Sequence, residues 1–154
     1  MPKQKKRTYV DTSVFGGVFD DEFDVASQRF FNQVKQKEFI LVTSAVVQEE
    51  LKQAPGDVRS FFQEMLPYSK IIEITRESLD LRNANLKAEI VSSKYTNDAL
   101  HVAIATISGC DIILSWNFKH IVHFDKIPLY NAINTLKGYN PISIFSPLEV
   151  IKYD

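Results

Sequence analysis

Short apolar runs alternate along this chain with longer stretches in which apolar residues return every three to five positions. Phe39-Ile40-Leu41-Val42 and Ile112-Ile113-Leu114 are unbroken apolar runs, the pattern of strands buried on both faces of a parallel sheet. Thr8-Tyr9-Val10, Ile71-Ile72-Glu73-Ile74 and Pro141 to Phe145 are shorter strand-like pieces. Thr12 to Gly17, with two glycines, reads as a loop. A helical pattern opens at Asp20, Asp21, Glu22 and Asp24 and carries Val25, Phe30, Phe31 and Val34. The next runs from a Ser44 cap to about Ala54, and another from Pro55-Gly56 to Leu66, where Pro67 stops it. Further helices are predicted from about Glu77 to Val91, from Asn97 to Ser108 behind a Thr96 cap, and from Leu129 to Leu136. Phe118 to Val122 reads as one helical turn, and Ser146-Pro147 as cap and first residue of a C-terminal helix.

Strands alternating with helices imply an α/β fold of three layers, a mainly parallel central sheet flanked by helices on both faces. The 154 residues suit a single domain spanning 1–154. Hydrophobic residues make up 45% of the chain, enough for a real core, so disorder and coiled coil are not expected. With 18 basic and 19 acidic side chains, no global positive field exists to hold nucleic acid, and any such binding must be local. The single cysteine, Cys110, excludes an intrachain disulfide and fits a reducing cytoplasm. Asp11 interrupts any signal-peptide core after the basic run Lys3 to Arg7, read here as a frayed, solubilising terminus. The longest uncharged apolar run, from Ala99, is too short for the roughly 20 residues a membrane span needs.

In parallel α/β folds, the C-terminal ends of strands and the first turns of the following helices share one edge, where ligands bind. Asp11 ends the first strand, Asp98 lies in the first helical turn after Thr96, and Asn117 follows the strand ending at Leu114. Stepping about 100° per residue, Glu50 falls inside the apolar arc set by Val46, Val47, Leu51 and Ala54, whereas Glu49 falls outside it and should face solvent. An inward carboxylate is costly unless paired or metal-bound. Three carboxylates at one edge repel one another unless a divalent cation neutralises them, so at least one should titrate above its ordinary range. An oxygen-only set suits Mg²⁺ or Mn²⁺ and not Zn²⁺.

"VDTSVF" (Val10 to Phe15), "TSAVVQEEL" (Thr43 to Leu51), "TNDALHVAIA" (Thr96 to Ala105), "DIILSWNFKHI" (Asp111 to Ile121) and "PISIFSPLEVI" (Pro141 to Ile151) together resemble the PIN domain, in order and over nearly the whole chain. The resemblance implies a Mg²⁺- or Mn²⁺-dependent ribonuclease, as in the toxin of a VapBC-type toxin–antitoxin pair, with RNA as substrate, a small antitoxin as partner and a homodimer as assembly. Asp11, Glu50 and Asp98 match the family's first three acids and would be its catalytic and metal-binding residues. The fourth position, usually Asp, is Asn117, which offers an oxygen without charge. Under this reading Asp11 and Asp98 hold the metal, Glu50 orients water or completes the metal shell, and Asn117 positions water or phosphate. Thr12 and Ser13 are candidate supporting hydroxyls, with Thr12 read mainly as turn chemistry. Ser13, Trp116 and Lys119 are candidate substrate contacts; Phe118 is expected in the core, and His120 and His123 at the surface. Two competing classes are a PIN-like scaffold or RNA-binding protein inactivated by the missing fourth acid, and a Rossmann-like small-molecule binder. The last is disfavoured because Phe15-Gly16-Gly17 lacks the G-x-G-x-x-G spacing.

Overall fold

A computed structural model describes residues 5–153. Five strands form one sheet: β1 (Lys6–Val10), β2 (Phe39–Ser44), β3 (Ser69–Ile72), β4 (Ile112–Leu114) and β5 (Ser143–Phe145). Every pairing is parallel and the order is β3-β2-β1-β4-β5. The chain thus starts at the centre, builds outward through β2 and β3, then returns to β4 on the other side of β1. The strand order reverses between β1 and β4, and such a reversal opens a crevice at the strands' C-terminal ends. Val10 pairs with Leu114 there, which puts Asp11 and Ser115 side by side.

Seven α-helices flank the sheet among the described residues: α1 (Thr12–Gly17), α2 (Asp24–Lys35), α3 (Ala45–Leu51), α4 (Gly56–Met65), α5 (Arg76–Lys87), α6 (Thr96–Ile107) and α7 (Ile127–Leu136). Phenylalanines lock α1, α2 and α4 together: Phe15 lies 5.1 Å from Phe31 and 5.0 Å from Phe62, centroid to centroid. The helix α6 is buried from Ala99 to Thr106, which accounts for its nearly unbroken apolar sequence.

Four departures from the sequence reading have local causes. The segment Thr12–Gly17 is a helix and not a loop, because Asp11 caps it by accepting from the Ser13 N–H. The helix α5 stops at Lys87, short of Val91, since Glu89 takes a left-handed backbone with φ 59°. The C-terminal helix is only a 3₁₀ turn, Pro147–Glu149, held by a Ser146–Glu149 capping box. Lys6 and Arg7 begin β1, where the Arg7 guanidinium donates to the Ser108 carbonyl at 3.0 Å, so they are ordered and lie at the opposite edge from the crevice. Lys3 lies outside the described residues.

Gly17 is glycine because the Trp116 indole lies on it: a β-carbon there would sit 2.7 Å from both Trp116 Nε1 and Ser27 Oγ. Gly17→Ala should therefore destabilise the protein by about 1–3 kcal/mol despite alanine's better helix propensity. Urea denaturation measures this, and a variant as stable as wild type would show that the indole yields freely.

Candidate active site

The C-terminal end of β1 delivers Asp11, which is 3% exposed. Its Oδ1 accepts from the Ser13 N–H (3.1 Å) and the Ser13 hydroxyl (2.6 Å), and its Oδ2 from the Ser115 hydroxyl (2.6 Å). The same hydroxyls tie down the loop after β4: the Trp116 N–H donates to Ser13 Oγ (2.9 Å) and the Asn117 N–H to Ser115 Oγ (2.8 Å). Burial pushes the Asp11 carboxyl above the ordinary aspartate value, opposed by His101, Ser115 and Ser13.

The helix α3, capped by the Ser44 hydroxyl on the Val47 N–H (3.3 Å), buries Val46, Val47 and Leu51 and turns Glu50 inward. Glu49 points to solvent and pairs with Lys52 at 2.8 Å, as the helical phase requires. Glu50 Oε1 accepts from the Thr12 hydroxyl (2.6 Å) and from His101 Nε2 (2.7 Å). Thr12 therefore serves Glu50 and not a turn. His101 is 2% exposed, and its other nitrogen meets the Tyr9 hydroxyl at 2.7 Å, which in turn meets Ser44 Oγ at 2.8 Å. Burial alone would raise the Glu50 value, but the hydrogen bond and charge of His101 hold it below the usual glutamate range. Burial likewise works against the His101 imidazolium, yet Glu50, Asp11 and Asp98 raise its pKa above that of an ordinary histidine.

Asp98, half-buried in the first turn of α6, is raised mainly by burial, with the Asn117 amide and His120 pulling the other way. Asn117 Oδ1 accepts from the Lys119 N–H (3.2 Å) and the His120 N–H (2.9 Å), which caps the turn that follows. Glu50 raises both Asp11 and Asp98, so the three carboxylates share one electrostatic neighbourhood. Two carboxyls are raised, as expected, but the larger cause is burial and not mutual repulsion.

Ser115 and His101 escaped the sequence reading. Ser115 has no signature beyond following a strand. His101 had one: a lone histidine inside an apolar helix, three residues after Asp98 and so on the same face. It sets an imidazole against Glu50, and the neighbouring carboxylates favour its protonated form.

Two candidate contacts, Trp116 and Ser13, and the expected placing of Phe118, His120 and His123 are corrected. Trp116 is 6% exposed, stacks on Phe23 at 4.2 Å and donates Nε1–H to Ser27 Oγ (2.9 Å), so it is interior packing and has no free face for substrate. The Ser13 hydroxyl is spent on Asp11 and the Trp116 N–H, which makes it a positioning group. Phe118, expected in the core, is 46% exposed beside exposed Lys119. His120 and His123 are half-buried.

Among the described residues, no three His, Cys, Asp or Glu side chains stand as a ready-made metal cage. Mg²⁺ takes one or two carboxylates and keeps several waters. The hard oxygens of Asp11 and Asp98 are of the right type for such an ion, and Glu50 keeps Oε2 outside its contacts with Thr12 and His101.

No family model matches the sequence, and no curated protein matches it. Solved structures do. FitAcB from Neisseria gonorrhoeae superposes with a TM-score of 0.59 at 12% identity, over 93% of this chain and 99% of that one. VapBC2 from Rickettsia felis, bound to a DNA fragment from its promoter, gives 0.56 at 13% identity, over 89% and 96%. A toxin–antitoxin complex from Klebsiella pneumoniae gives 0.56 at 14% identity, over 77% and 93%. This chain has the PIN-domain fold. In this fold Ser115 joins Asp11 to the Asn117 backbone at the C-terminal ends of β1 and β4, and Thr12, next to Asp11, holds Glu50. No helix among the described residues is long and apolar enough to cross a membrane.

Proposed function

We propose that this chain is a divalent-metal-dependent endoribonuclease, the toxin of a toxin–antitoxin pair. What supports the reading is Asp11 at the C-terminal end of β1, with Glu50 held beside it through Thr12 and within electrostatic reach of Asp98, in a fold shared with toxin–antitoxin complexes. Asp11 and Asp98 would hold Mg²⁺ or Mn²⁺, which when bound lowers the pKa of water and stabilises charge on the phosphoryl oxygens. Glu50, oriented by His101 and Thr12, directs the attacking water through its free oxygen and takes up its proton. Ser13 and Ser115 fix the Asp11 carboxylate so that little reorganisation is needed when charge develops. RNA is the substrate, a small antitoxin the partner, a homodimer the assembly and the cytoplasm the place of action.

Cleavage of single-stranded RNA in Mn²⁺ by wild type, abolished in Asp98→Ala, tests the activity. Mn²⁺ titration by calorimetry and a Mn²⁺-dependent rise in melting temperature test the metal site separately. No thermal shift at neutral pH would sink the metal site. The scaffold reading is favoured by Asn117 in place of an acid; its mark is Mn²⁺ binding without cleavage.

Asn117→Asp separates these readings further. Aspartate keeps the oxygen that caps the turn and adds a negative charge. Mn²⁺ affinity should rise about tenfold, or roughly 1.4 kcal/mol, with a gain in cleavage. The metal-free protein should lose about 1 kcal/mol, because another carboxylate joins three. Unchanged affinity in calorimetry would place Asn117 beyond the metal's reach.

A further inference from the structure

The turn that follows Asn117 carries more than the cap. Its backbone is pinned on both sides: the Asn117 side chain accepts from the Lys119 and His120 N–H groups, and the Tyr130 hydroxyl donates to the His120 carbonyl at 2.8 Å. The His120 ring stacks on Tyr95, the residue preceding α6, with centroids 3.8 Å apart. Phe118, on the same turn, leaves nearly half its surface in water. Lys119, between them in sequence, is exposed. The Asn117 N–H donates to Ser115 Oγ at 2.8 Å, and the Ser115 hydroxyl donates to Asp11 at 2.6 Å, so this rim borders the acidic crevice.

An exposed Phe118 ring and the half-buried Tyr95–His120 pair beside a cation, on a backbone held rigid, are the components of a stacking platform for unpaired bases. A duplex keeps its bases stacked on one another and offers no free face to such a platform. The neighbouring carboxylates repel a phosphate at the rim itself, so contact there is through bases, with the backbone phosphate meeting Lys119. We infer that Phe118 and the Tyr95–His120 pair receive the unpaired nucleobases flanking the cleaved phosphodiester, and that Lys119 binds a neighbouring phosphate. The inference rests on the ribonuclease reading for its substrate, but its test does not depend on turnover.

Fluorescence anisotropy with a fluorescein-labelled, mixed-sequence single-stranded oligoribonucleotide in EDTA measures binding without cleavage. Phe118→Ala and Tyr95→Ala should each weaken binding about tenfold. Tyr95→Phe, which keeps the stack, should bind within about twofold of wild type, and so should Tyr153→Ala, an exposed aromatic placed elsewhere beside Arg29. The same sequence as a duplex should bind about tenfold more weakly than the single strand. Circular dichroism melts establish which variants are folded, and Phe118→Ala carries the test if Tyr95→Ala is not. Folded Phe118→Ala binding like wild type overturns the platform. Wild type that binds no RNA at all also overturns it, and points to a protein ligand on this rim. Wild type that binds through these residues but never cleaves in Mn²⁺ leaves the platform standing and removes the nuclease. Cleavage that persists with unchanged KM in both alanine variants does the reverse.

Discussion

Asp11→Asn is expected to slow RNA cleavage about a thousandfold, equivalent to roughly 4 kcal/mol of transition-state stabilisation, while leaving the metal-free fold within about 1 kcal/mol of wild type. The two halves of this result have different causes. Asparagine lacks the charge that would hold the cation, and its amide nitrogen cannot accept from both serine hydroxyls. The fold, however, gains as well as loses. Burial raises the Asp11 pKa, so the ionised carboxyl is a liability to the metal-free protein. The sign follows directly. With its folded pKa raised above 3.8, Asp11 favours folding most below that value, and this contribution falls away as pH rises through the folded pKa. Removing the charge therefore relieves a cost at neutral pH and offsets the weaker hydrogen bonds; asparagine also remains a good cap for α1. Urea denaturation in EDTA at pH 7.5, alongside cleavage rates in Mn²⁺, measures both quantities. A variant with full activity would exclude Asp11 from the chemistry. A loss of several kcal/mol would show instead that its role is structural.

His101→Ala should be the most damaging substitution for stability, costing about 3 kcal/mol at pH 6. It removes the donor to Glu50, leaves the Tyr9 hydroxyl with only Ser44, and opens a cavity beneath α6. A fully buried pair broken on one side costs about 3–5 kcal/mol; the Glu50 side chain is 30% exposed, so water screens part of the charge left behind. The pH dependence is specific. Glu50, lowered from 4.5, contributes stability above that value and loses it as pH falls through its folded pKa. His101, raised from 6.5, contributes fully below that value and loses it as pH rises through its folded pKa. The pair is therefore worth most between pH 4.5 and 6.5, and wild-type stability should decline on the alkaline side. In His101→Ala that part of the decline should vanish. Denaturation curves across this range decide it, and a loss below about 1 kcal/mol with an unchanged pH profile would mean the ion pair contributes little.

Most of the architecture was legible from the sequence, for reasons local to it. Apolar runs such as Phe39 to Val42 have no exposed face, so they specify buried parallel strands, and the alternation with helical periods specifies the layers. The phase of one helix turned Glu50 inward and Glu49 outward without any knowledge of neighbours. Asp11 and Asp98 were legible because strand ends and first helical turns share an edge in any parallel α/β fold. What periodicity cannot carry is which side chains meet across elements. His101 and Glu50 are 51 residues apart, and Ser115 and Asp11 are 104 apart. Those contacts exist only once β4 has returned beside β1 and α6 has brought His101 to Glu50. The same tertiary step sent Trp116 into the space left by Gly17 and left Phe118 in water, although the two are separated by one residue in a turn with no amphipathic period to read. It also decided the charge balance of the crevice: the sequence placed three acids at one edge, and only the folded chain set an imidazole among them, because electrostatic compensation depends on distance in space and not on spacing along the chain.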